Sequence, residues 1–166
     1  SDIRGYTAMS EGLADERVVA MLNLDLRRQT EIIEAHGGTI DKFIGDAVLA
    51  VFRGDDRNAR SVQAALQIQT EIAAMNADGA FERPVRIGIG IAEGSLVNLA
   101  SRLCSRAGEG EVVVSATVQD ALAARRAVIA SERVPPQGFA ETQACHTVAA
   151  PTGRAAGRGG RVTPGA

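Results

Sequence analysis

Two apolar runs stand only two residues apart in the first third of the chain. Residues 39–44 read TIDKFI, residues 47–52 read AVLAVF, and Gly45-Asp46 alone separates them. A chain reverses within two residues only through a turn that uses left-handed backbone, and Gly and Asp tolerate it best. The segment therefore predicts a β-hairpin, and any fold open to this chain must contain that antiparallel pair.

Helical spacing surrounds the hairpin. Val18, Leu22, Leu26, Gln29 and Ile33 predict a helix over residues 15–36, with Asp15 as N-cap and Gly37-Gly38 as its stop. A second helix is expected over 56–75, opened by Asp55 and Asp56, and then a loop over 76–84. Residues 85–91, VRIGIGI, read as an apolar strand whose glycines mark close backbone packing. That GxG lies inside a strand, with no phosphate-loop continuation. Residues 95–106 predict a helix with Val97, Ala100, Ser101 and Cys104 on one face. A strand over 111–114, a helix over 116–125 and strands over 128–134 and 140–148 complete the order. Mixed elements around a hairpin give an α+β sandwich: a mostly antiparallel sheet with helices packed on it.

Composition narrows the function. At 166 residues and 45% hydrophobic, the chain can bury one core without disulfides. Aromatics are 3%, Trp is absent and net charge is −2, so a single-strand stacking platform is excluded and nucleic acid is not an expected partner. Residues 151–166 hold five Gly, two Pro and three Arg and read as a flexible tail; residues 1–150 carry −5. Cys104 and Cys145 have no metal-ligand spacing and read as reduced thiols in a cytoplasmic setting. His36 ends a helix, and His146 beside Cys145 lacks a third ligand for zinc. No apolar run reaches membrane-spanning length, and residues 1–7 have no signal-peptide pattern. The chain opens inside a motif, as a fragment does, so flanking regulatory or membrane domains are expected in the intact protein.

Candidate chemistry is dispersed. Asp2 alone reads as a helix cap and Asp46 as a turn residue. Together, if β-pairing brings the first strand beside the hairpin, they make two hard oxygen ligands for Mg²⁺. Lys42 is the single lysine among 18 basic residues, the other 17 being Arg. It is either a guarding lysine of an edge strand or a hydrogen-bond donor to a ligand. It shares a face with Asp46 only if strand alternation survives the Gly45 turn. Asn98 and Arg102, four apart on a helix, are either a solvated pair or a grip on a sugar and a phosphate.

Four segments carry a family resemblance. SDIRGYTAMSE, GGTIDKFIGDAVLAVF, VRIGIGIAEG and VNLASRL resemble the catalytic domain of class III adenylate/guanylate cyclases, over residues 1–149. The resemblance implies a ferredoxin-like core and head-to-tail homodimers with active sites at the interface. It implies conversion of ATP to 3′,5′-cyclic AMP and pyrophosphate, in signal transduction. Asp2 and Asp46 match the aspartates that hold two Mg²⁺ or Mn²⁺, and Ile3 the position whose carbonyl also faces a metal. Lys42 matches the purine-reading lysine of adenylate cyclases, where guanylate cyclases usually carry Glu. Asn98 matches the ribose-orienting asparagine and Arg102 the arginine on the α-phosphate. Lys42, Asn98 and Arg102 would act on the substrate held by the other subunit's aspartates.

The chain departs from that pattern in three places. Only Ser1 precedes the first aspartate, where the family has a full strand. Gly94 runs directly into Ser95, where the family has a strand, a hairpin and another strand carrying the second purine-reading residue. Gln137 stands where many members have a triphosphate-binding lysine. An alternative expectation follows: a catalytically dead pseudo-cyclase that binds nucleotide or pairs with another cyclase domain. A diguanylate cyclase would need a GG[DE]EF-like hairpin, and this one reads FIGDAV.

Overall fold

A computed structural model describes residues 1–94, 97–123, 130–133 and 144–148. In chain order the elements are β1 (Asp2–Ile3), α1 (Tyr6–Ser10), α2 (Asp15–Ala35), β2 (Gly38–Ile44), β3 (Ala47–Phe52) and α3 (Arg57–Ala77). They continue with β4 (Ile87–Ile91), α4 (Val97–Arg106), β5 (Val112–Ser115), α5 (Ala116–Ala123), β6 (Ala130–Arg133) and β7 (Ala144–Val148). The expected 150–166 tail, Gln137, Ser95 and parts of the two late strands lie outside the described residues.

The hairpin forms where the two runs demand it. Gly45 takes φ +62° at the tip, and β2 and β3 pair antiparallel with a register shift between Ile40 and Lys42. Among the described residues the other strands form a sheet of order β1-β4-β5-β7-β6. Its β4–β5 pair is parallel and the rest antiparallel. Ser1 joins the hairpin to this sheet: its amine donates to the Val48 carbonyl at 3.0 Å, and the Val48 N–H donates back at 3.1 Å.

Helices cover both faces, as an α+β sandwich requires. On β5, Val112 and Val114 enter a core with Ile68, Ile72, Ile87 and Val118, while Val113 faces Leu99, Leu103 and Cys145. The alternation of a single VVV run thus serves two cores. The glycines of β4 answer to packing. A Cβ on Gly90 would collide with the backbone of Ala100 and Cys104, so only Gly lets α4 lie this close.

Three local expectations are corrected. Asp15 is the first helical residue rather than the N-cap; Ala14 holds that place, with no side-chain cap bond, and Asp15 and Glu16 lie in the first turn. The fully buried stripe of α2 runs through Met21, Asp25, Gln29, Ile32 and Ile33, with Leu22 and Leu26 half-buried against the same core at its edge and Val18 outside it. The expected 76–84 loop begins after α3, and Asn76 inside that helix clasps Val85, donating to its carbonyl at 2.6 Å and accepting its N–H at 2.8 Å. No helix among the described residues is long and apolar enough to cross a membrane.

Candidate active site

The pairing of Ser1 with Val48 decides where the first two acids lie. Val48 is two residues past Asp46, and Asp2 is one past Ser1, so the pairing draws both carboxylates to one corner. There the Asp46 carboxylate accepts the Ile3 N–H as well as its own. Burial raises the Asp46 pKa above the usual carboxylate range, and the Asp2 charge raises it further, while those amides and Arg4 oppose both. Asp2 is engaged by Arg4, whose Nη2 donates to Oδ2 at 2.7 Å.

A third carboxylate lies beneath. Asp25 is fully buried on α2. Gln29 donates to its Oδ2 at 2.7 Å, and the Ser1 hydroxyl donates to the Gln29 carbonyl at 2.5 Å. Its Oδ1 has no hydrogen-bond partner. Burial lifts its pKa to about 6; the Gln29 bond pulls it down, and the nearby Asp46 charge pushes it up. Sequence reasoning missed Asp25 because an acid interrupting an apolar stripe reads as solvent-facing. The available signal was its spacing of four from Gln29, which the same reading had placed on the inner face.

Asp2, Ile3 and Asp46 are therefore brought together, as the sequence pairing required. Lys42 is not brought to them in this chain. The shift after Ile40 pairs Lys42 with Leu49, and its exposed ammonium lies 3.5 Å from Asp41. Asn98 and Arg102 are also exposed, on α4. Val97, Ala100, Ser101 and Cys104 do share a face of α4: they line a cavity of about 470 Å³ between β3, β4 and α3, with Ser1 and Asp2 at its wall.

The corner fits a small hard cation. Mg²⁺ takes one or two carboxylates and fills its remaining positions with water and phosphate oxygens. No cluster of three or more His, Cys, Asp or Glu able to hold a metal exists among the described residues. Two neighbouring carboxylates, one of them (Asp2) on the wall of an open cavity, suit a cation that shares a phosphate ligand.

Residues 1–139 match the family described as "Adenylate and Guanylate cyclase catalytic domain". The chain belongs to that family. The cyclase domain is 36% identical over 103 residues to an adenylate cyclase of Anabaena cylindrica, covering 58% of this chain and 20% of that protein. It is 34% identical over 128 residues to adenylate cyclase 1 of Rhizobium meliloti, covering 62% of this chain and 19% of that protein. The chain thus spans about a fifth of the length of these relatives. Among solved structures, the adenylyl cyclase CyaB from P. aeruginosa superposes with TM-score 0.81 at 25% identity, covering 90% of this chain and 91% of that one. The guanylyl cyclase Cya2 gives 0.79 at 29%, covering 89% and 87%. The α+β architecture is that of the cyclase catalytic domain, and its likenesses include both adenylyl and guanylyl cyclases.

Proposed function

We propose that this cyclase domain converts ATP to 3′,5′-cyclic AMP and pyrophosphate for intracellular signalling, as a head-to-tail homodimer on the cytoplasmic side. The observation that carries the reading is the convergence of Asp2 and Asp46, 44 positions apart in the chain, at the corner where Ser1 ties the hairpin to the sheet. Asp2, Asp46 and the Ile3 carbonyl would hold two Mg²⁺ or Mn²⁺. Bound there, such ions supply Lewis-acid activation of the ribose 3′-hydroxyl and neutralise triphosphate charge.

The chain's own residues then divide the remaining work. The 3′-oxygen attacks the α-phosphorus, and pyrophosphate departs. Arg102 presents a planar, permanently charged fork to the α-phosphate, where negative charge grows in the transition state. Asn98, one turn earlier on α4, orients the ribose. Lys42 offers a compact ammonium to an acceptor on the adenine ring. Exposure of all three suits residues that reach a nucleotide held by a second subunit. An apolar surface lies on the same two elements: Phe43 and Ile44 on β2 and Val97 on α4 are 50–59% exposed, which suits a subunit interface.

Cyclic AMP formation from ATP with Mn²⁺ present, by the full chain and by a longer chain containing it, tests this reading. Absence of product in both would refute it. A second reading, a pairing or nucleotide-binding module, draws support from the cavity beside β4 and the direct Gly94-to-Ser95 junction. Calorimetric nucleotide binding without turnover would select it.

A further inference from the structure

We propose that Arg4 is an internal counter-ion of the metal corner: its guanidinium holds Asp2 in the cation-free domain, and a divalent cation binds by displacing it. The inference rests on the reading of Asp2 and Asp46 as the metal-holding pair.

The contact is built, not incidental. Arg4 Nη2 donates to Asp2 Oδ2 at 2.7 Å and to the Asp2 carbonyl at 3.3 Å, and Nε reaches that carbonyl at 3.4 Å. The Arg4 side chain is 18% exposed against 38% for Asp2, so the cation is the more enclosed partner. Its berth is shaped by two other elements. On β4, a Cβ at Gly88 would lie 2.8 Å from Nε and 3.0 Å from Cζ, so the guanidinium occupies space that only glycine leaves open. On α4, the Cys104 Sγ accepts from the same Nη2 at 3.6 Å while donating to the Gly88 carbonyl at 3.3 Å. The first glycine of the IGIGI strand thus makes room for the Ala107 carbonyl, 2.7 Å from such a Cβ, and for the side chain that follows β1.

The chemistry follows from competition for one carboxylate. An oxygen already accepting a charge-assisted hydrogen bond is a poorer ligand for a hard cation, and a fixed positive charge beside the site repels one. A free divalent ion must break a partly desolvated ion pair before Asp2 can ligate it. A cation arriving on a nucleotide triphosphate brings phosphate ligands that offset this loss. Arg4 therefore biases the domain against free cation and toward the cation–nucleotide complex. Once displaced, it also releases its hold on α4, the helix that carries Asn98 and Arg102.

Mn²⁺ titration of the full chain without nucleotide, followed by the electron paramagnetic resonance of free Mn²⁺, tests this. Arg4→Gln should tighten Mn²⁺ binding roughly three- to fivefold, the upper end of what one competing, half-exposed ion pair is worth. Arg4→Lys, which keeps the charge but loses the fork, should tighten it about twofold. Arg4→Met, neutral and of similar length, serves if the Gln variant does not fold. A Kd that is unchanged or weaker in a folded neutral variant overturns the proposal, since a merely structural Arg4 would move only the melting temperature. Asp2→Asn separates the two readings. Loss of Mn²⁺ binding there upholds the metal corner whatever Arg4 does, and undiminished binding overturns both.

Discussion

The metal corner and the exposed face of α4 carry the same proposed reaction, yet they are assembled by opposite means. At the corner, each carboxylate is held by contacts within the chain: Asp46 by the Ile3 amide, Asp2 by Arg4, with Asp25 and Gln29 fully buried beneath. On α4 the apolar residues Leu99 and Leu103 are buried, while Asn98 and Arg102 stand in solvent one turn apart. Buried acids need partners, because an uncompensated charge away from water is costly. Exposed polar groups keep their hydration, so a helix can present them to a second molecule at little expense in stability. In the proposed reading, a catalytic centre split in this way is complete only when two copies meet.

The sharpest attempt to break that contrast removes a carboxylate from the corner. Asp46→Asn should lower cyclic nucleotide output with Mn²⁺ by at least about a hundredfold; retention of more than a tenth of the rate would strip the corner of its catalytic role. Arg102→Ala should lower kcat by about ten- to a hundredfold while changing ATP affinity less than about threefold, since its charge partner forms in the transition state. Steady-state kinetics and equilibrium binding measured side by side would separate the two quantities. Mixing these two inactive variants in equal amounts sharpens the comparison further. Random pairing puts half the dimers in a mixed state with one intact site of two, so about a quarter of the unmutated activity should return. No recovery above either variant alone would mean that both residues serve the same subunit's site. Lys42→Glu should shift the ATP-over-GTP preference by about tenfold toward GTP, read as the ratio of kcat/KM values.

The smallest effect concerns stability alone. Asp25 has a pKa near 6 in the folded protein against 3.8 for the unperturbed group. Between those values the native state holds a proton that the unfolded chain releases. The stabilisation is therefore fully present below pH 3.8 and is lost as pH rises through about 6. Asp25→Asn keeps the acceptor for Gln29 and removes the titration. It should be more stable than the parent at pH 8, by up to about 3 kcal/mol, with the gap closing near pH 4. Parallel denaturant melts across that range would show the convergence, and equal stability at pH 8 would contradict the burial-driven shift.

The readable parts of this molecule were those governed by neighbours in sequence. Gly45-Asp46 between two apolar runs specified the β2–β3 hairpin, because a two-residue reversal has few conformational solutions. Helical spacing placed α2, α3 and α4 to within a few residues of their ends. The pairing of Asp2 with Asp46 was legible only as a conditional, dependent on β1 lying beside the hairpin, and the Ser1–Val48 bonds supplied that condition. The resemblance of four motif segments identified the family ahead of any coordinates. Asp25 and Arg4 were not legible. The burial of Asp25 follows from a rotation of the α2 stripe by a fraction of a turn, which apolar counting does not resolve when the stripe contains Asp and Gln. The berth of Arg4 depends on Gly88 and Cys104, 84 and 100 positions away.

The sequence by itself determined the hairpin, the helices, the α+β class and the cyclase family, since each rests on local backbone preference or on ordered motif segments. Tertiary structure alone decided which charges meet. It set Asp2 against Arg4, laid Asp25 under Asp46, and left Lys42, Asn98 and Arg102 facing outward. Side-chain encounters across tens of residues depend on strand register and helix rotation, and the short-range forces that set local conformation do not encode either.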